Sequence, residues 1–182
     1  MLKDHLHYTK RITHAAAKAV AKMGAFSYVS VHLRRNDFQY SQAGRGDAKD
    51  EGHRGASAVH VLDRIKKELR PGEALYIATD ELDETYLKSY HEALPGHKIF
   101  SSNDFKEEFG KDNIEHWRKR GGLIEQVVCA GARFFFSMPS STYSAQIKII
   151  RDHMAHVAKA PEHGAKELHS LGLADADSKL FL

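Results

Sequence analysis

Between Thr9 and Met23, Ile12, Ala15, Ala16, Ala19, Val20 and Met23 recur at helical spacing, and Gly24 supplies a stop. Tyr28–Leu33 then alternates and is rich in β-formers, which predicts a strand. Gln39–Gly55 is polar and glycine-bearing, a loop. In Ser57–Arg70, one stripe of Ala58, Val61, Leu62, Ile65 and Leu69 predicts a helix ended by Pro71-Gly72. Leu75–Thr79 reads as a second strand, Asp80–Ala93 as a crossover helix and Lys98–Phe100 as a short third strand. Asn103–Arg120 is charged and expected to be irregular, with at most a short helix. Gly121-Gly122 opens a helix through Ala130, Arg133–Ser137 is a fourth strand and Tyr143–His156 a last long helix.

Strands alternating with helices predict an α/β fold, a Rossmann-like parallel sheet with helices on both faces. Residues 1–158 form the expected lobe, and residues 159–182 a polar tail, poorly ordered or loosely docked. Ligands of such sheets sit beyond the carboxyl ends of the strands. That rule directs attention to His32–Asp37, Thr79-Asp80 and Ser137–Ser144.

Composition narrows the choice. At 182 residues the chain suits one α/β domain rather than two. A net charge of +3 favours anionic ligands weakly. Without a basic stripe interleaved with aromatics, it does not point to nucleic acid. No apolar run approaches the roughly 20 residues of a membrane span, and the polar start Met1–His5 is not a secretory signal. The single cysteine, Cys129, has no internal disulfide partner and reads as a buried small hydrophobe. His153 with His156, and His5 with His7, lack a Glu or Cys at zinc-site spacing, so no metal site is expected. The tripeptide Arg45-Gly46-Asp47 reads as chance, and Trp117 with Arg118, Lys119 and Arg120 as a solvated basic patch.

Three strand tips carry the chemistry. The first runs into His32-Leu33-Arg34-Arg35-Asn36-Asp37, where paired guanidinium forks match phosphate oxygens and Asp37 can orient one of them. A surface salt-bridge cluster is an equal reading of those residues alone. The second ends in Thr79-Asp80, a helix cap or a ligand-facing acid. The fourth leads through Ser137, Ser140, Ser141, Thr142, Tyr143 and Ser144 into a helix. Hydroxyls and N–H groups at a helix entrance suit a diphosphate.

His32–Phe38, Ala78–Asp80 and Gly121–Phe135 followed by Ser141-Thr142-Tyr143-Ser144, in that order, resemble the C-terminal lobe of the protein O-fucosyltransferases. The similarity is greatest to the type acting on thrombospondin repeats and spans roughly Tyr28 to Arg151. It implies one lobe of a two-lobed GT-B fold, an inverting transfer from GDP-fucose to Ser/Thr of a folded protein acceptor, and no metal. It also implies the lumen of the endoplasmic reticulum. Arg34, the catalytic candidate, would meet the β-phosphate and the charge that develops as GDP leaves. His32 would lie against the nucleotide, Asp37 would hold the arginine pair, and Asp80 would face ribose or phosphate. Ser141, Thr142 and Tyr143 would take the phosphates, and Glu125 the guanine edge.

The sequence departs from this family in places. Glu125 replaces an aspartate, Ser137-Met138 a Gly-Thr, and Tyr143 a phenylalanine, while Pro139 removes an N–H from the loop. The acceptor-side lobe and its proposed base would precede Tyr28, where this chain has 27 residues. No motif marks Asp112 or Glu115 as a substitute. A partnering N-terminal lobe is therefore expected. A non-catalytic GDP-sugar-binding module, or a fucosyltransferase acting on a glycan, are the alternatives.

Overall fold

The structure, a computed structural model, describes residues 8–34, 58–80, 84–110, 114–137, 141–157 and 168–170. Helix α1 (Lys10–Met23) buries Ile12, Ala16, Ala19 and Val20. It ends at Gly24, whose φ of 87° suits a residue without a side chain and whose N–H bonds the Val20 carbonyl. Strand β1 (Tyr28–Leu33) follows and is buried at all six positions. After it come α2 (Ala58–Glu68), β2 (Ala74–Thr79), α3 (Glu84–Ala93) and β3 (Ile99–Ser101). A 3₁₀ turn (Ser102–Phe105) leads to α4 (Lys106–Phe109), α5 (Ile114–Ala130), β4 (Phe134–Ser137), α6 (Thr142–Val157) and β5 (Leu168–Ser170).

The sheet order is β3-β2-β1-β4-β5, and every pairing is parallel. The chain builds outward from β1 through β2 to β3, then crosses back to place β4 on the other side of β1. The direction of winding therefore reverses between β1 and β4, where parallel α/β sheets open a crevice at their carboxyl ends.

Alternation along the strands divides the core into two layers. Val29, Val31, Leu33, Leu75, Ile77, Phe134 and Phe136 pack with α2 and α3 through Val61, Leu62, Ile65, Tyr86 and Tyr90. On the opposite face Tyr28, Tyr76, Ala78 and Phe135 meet α1, α5 and α6 through Ala16, Ala19, Ile124, Val128 and Ile147. Helices thus cover both faces, as the alternating pattern predicts. Buried ion pairing and capping tie the amino ends of the strands. Arg133 grips the Glu73 carboxylate in two bonds of 2.6 and 2.7 Å. Arg151, fully buried, donates to the carbonyls of Ala132 (2.6 Å) and Arg133 (3.2 Å).

Two stretches differ from the sequence reading. The region expected to be irregular up to Arg120 holds the 3₁₀ turn, α4 and the first seven residues of α5. Gly121-Gly122 lies inside that helix and does not open it. Trp117 explains the first glycine: its ring stacks on Phe109 at 6.0 Å and 5°, and a Cβ on Gly121 would lie 2.7 Å from it. The second difference is β5, which adds a strand from within the stretch read as a tail, pairing Phe136 with His169. Three residues are too few to leave a periodic signature.

Candidate functional site

The reversal between β1 and β4 brings His32, near the carboxyl end of β1, against the first turn of α6. Even-numbered positions of β1 face the α5–α6 layer, so His32 points there by alternation. Its Nδ1 lies 3.2 Å from the Ser144 hydroxyl. Its ring stacks on Tyr143 with centroids 4.3 Å apart and planes 27° apart. Only 7% of His32 is exposed. Burial lowers its pKa to about 4, reinforced by the charge of Arg34 and opposed by that of Asp80. A neutral imidazole therefore sits where the β1 tip, the β2 tip and the entrance of α6 come together.

Ser141 caps α6. Its hydroxyl accepts from the Ser144 N–H at 3.2 Å, and its carbonyl accepts from the Ala145 N–H at 3.0 Å. This is the arrangement preferred at a helix start, and the amides of such a first turn lack carbonyl partners within the helix. Thr142 is exposed at the same entrance. The Tyr143 hydroxyl donates to the Gly122 carbonyl at 2.6 Å, so only the backbone N–H of Tyr143 is left to serve an anion. The hydroxyl run thus divides its labour: Ser141 shapes the helix, Ser144 fixes His32 and Thr142 faces solvent.

Arg34 is exposed just beyond β1, and Asp80 is half-buried just beyond β2. The fields of both reach His32. Six of the predicted residues, His32, Arg34, Asp80, Ser141, Thr142 and Tyr143, therefore gather at one end of the sheet. Asp37 lies outside the described residues, as do Arg35, Asp112 and Met138–Ser140.

Glu125 stands apart from that rim. It is 7% exposed on α5 and accepts a hydrogen bond from the Tyr76 hydroxyl at 3.1 Å. Its charge helps to raise the Tyr143 phenol, after the larger effect of burial. The carboxylate therefore lies between α5 and the sheet, held against Tyr76 of β2.

Sequence reasoning passed over Ser144 as a ligand of His32, and Tyr8 and Gln126 altogether. Tyr8 donates to Oε1 of Gln126, and Nε2 of Gln126 donates to the Tyr143 carbonyl at 3.4 Å. A buried glutamine on an otherwise apolar helix face was the available signal. Among the described residues, no group of three His, Cys, Asp or Glu side chains could hold a metal ion. Among them too, no helix is long and apolar enough to cross a membrane.

A family profile described as GDP-fucose protein O-fucosyltransferase matches residues 1–154. The chain belongs to that family. Among solved structures, the O-fucosyltransferase chain covers 94% of its own length on POFUT1 in complex with GDP-fucose, with a TM-score of 0.61 and 17% identity. POFUT1 in complex with GDP matches equally well, at a TM-score of 0.61 and 16% identity. At such identities the likeness speaks for the fold, which is that of one lobe of a GT-B fucosyltransferase. The chain spans about half the length of those structures, 49% and 50%. No curated protein matches the sequence.

Proposed function

We propose that this chain is the donor-binding half of an inverting fucosyltransferase. Its donor is GDP-fucose, and its acceptor is a Ser or Thr hydroxyl of a folded protein repeat. The observation that carries the reading is the junction of His32, Tyr143 and Ser144 at the β1/β4 reversal, flanked by Arg34 and Asp80. A guanidinium, helix-entrance amides and a neutral imidazole meet there, a set suited to a nucleoside diphosphate.

In this reading Arg34 takes the β-phosphate and strengthens its hold as negative charge builds on departing GDP. His32 lies against the nucleotide, and because it is neutral it adds no charge before the phosphates arrive. Asp80 faces ribose or phosphate, and Asp37 holds the arginine pair. Thr142 and the first-turn amides of α6, entered at Ser141 and Tyr143, take the remaining phosphate oxygens. Glu125, buried and bonded by Tyr76, is the acid assigned to the guanine edge. The chemistry uses protein groups and requires no metal. The acting base and the acceptor surface belong to a second lobe, and the endoplasmic reticulum lumen is the compartment this function implies. Because the chain spans about half of the structures it resembles, a non-catalytic GDP-sugar-binding module is the second reading.

Calorimetric titration with GDP, GDP-fucose, GDP-mannose and UDP tests the site. Binding of the guanosine compounds over UDP is expected, and UDP binding as tightly as GDP would overturn the assignment. The chain alone is expected to transfer no fucose to a folded repeat or to a chitin-like sugar. Turnover by the chain alone would contradict the need for a second lobe.

A further inference from the structure

Tyr143 is held from three directions. Its ring lies on His32, its hydroxyl bonds Gly122 of α5, and its carbonyl receives a bond from Gln126, also on α5. The Gln126 amide has only one way to face. A carbonyl can only accept, so the nitrogen end must point to Tyr143 and the oxygen end to Tyr8. Tyr8 must then be the donor, which its phenol group readily is. Burial holds the Tyr8 phenol protonated, outweighing the opposing effect of nearby Gln146 on α6. Tyr8, in the segment that enters α1, therefore reaches both Gln126 of α5 and Gln146 of α6.

We propose that Gln126, oriented by Tyr8, is a positioning residue that presses Tyr143 onto His32 and so fixes the imidazole at the mouth of the nucleotide site. Neither residue touches the ligand; both act through the stack. The importance of this linkage for binding rests on the donor-site reading above, whereas the linkage itself does not. The entry of the chain into α1 thereby acts on the site: whatever displaces Tyr8 loosens the His32 ring.

The test uses Tyr8→Phe and Gln126→Leu, with Gln126→Glu as a third variant that keeps the acceptor for Tyr8 but cannot donate to Tyr143. Nitrogen-15 spectra of the His32 ring, assigned by its loss in His32→Gln, report its protonation in ligand-free protein. At about pH 5.5, where an ordinary histidine is mostly charged, His32 stays neutral in the parent chain. All three variants are expected to let water reach the ring and to shift it toward the charged form at that pH. GDP affinity should fall roughly threefold to tenfold, the scale of one lost hydrogen bond. Tyr8→Phe removes a single oxygen and folds even where Gln126→Leu does not. A His32 signal unchanged in the variants that fold would overturn the proposal, whatever GDP does. A changed His32 signal in a chain that fails to bind GDP would uphold the linkage and overturn the donor-site reading alone.

Discussion

Acidification should weaken this fold through His32. Burial lowers the imidazole from its ordinary 6.5 to about 4. The unfolded chain therefore binds a proton between those values that the folded chain refuses. Stability rises with pH wherever the unfolded state holds more protons. The His32 contribution is thus intact above about pH 6.5, erodes as the pH falls and is fully lost near pH 4. A gap of about 2.5 pH units at 1.36 kcal/mol each amounts to about 3 kcal/mol, a large share of the stability of a domain this size. Urea unfolding from pH 7.5 to 4, followed in parallel for the parent chain and His32→Gln, isolates the effect. Glutamine still bonds Ser144 but does not titrate, and carboxylates that protonate below pH 5 act on both proteins alike. The difference in unfolding free energy is expected to move by about 3 kcal/mol against the parent chain on acidification. Profiles that stay parallel within about 0.5 kcal/mol would refute the placement of a neutral, buried imidazole at the strand tips.

Two further predictions concern the frame that holds the site. Gly121→Ala gains up to about 1 kcal/mol of helix propensity, but its methyl meets the Trp117 ring at 2.7 Å, an overpacking cost of about 1–3 kcal/mol. A net loss of roughly 1 kcal/mol and a shifted fluorescence spectrum, from the chain's single tryptophan, are expected; unchanged emission with higher stability would contradict the stacking. Glu73→Gln strands the buried Arg133 cation and should cost about 3–5 kcal/mol in urea unfolding, and a loss under about 1 kcal/mol would place that pair in solvent.

The sequence was most legible where one element carries one period. The pattern located β1 to the residue because its six positions form a closed β-rich run between Gly24 and the polar tip. The apolar stripes of α1 and α2 fell within two residues of their observed ends. Glycine misled at α5, since the pair resembles a helix boundary while the structure uses Gly121 to seat the Trp117 indole one helical turn earlier. The site followed the same logic. His32, Arg34 and Asp80 were readable because strand tips converge in any parallel sheet. The division of the Ser141–Ser144 hydroxyls among cap, imidazole and solvent was not, because it depends on the turn that brings α6 beside β1. Gln126 and Tyr8 were invisible for a related reason. They lie 118 positions apart, and no local period joins residues that meet only across α5 and the entry of α1.

The central claim is that Arg34, together with the α6 entrance and the His32–Tyr143 stack, forms a guanosine-diphosphate site. Calorimetric titration of GDP into the parent chain and into Arg34→Ala tests it most directly. The account predicts measurable binding by the parent chain and a loss of at least about 2 kcal/mol in the variant, roughly thirtyfold in affinity. Equal affinity in the two proteins would contradict it.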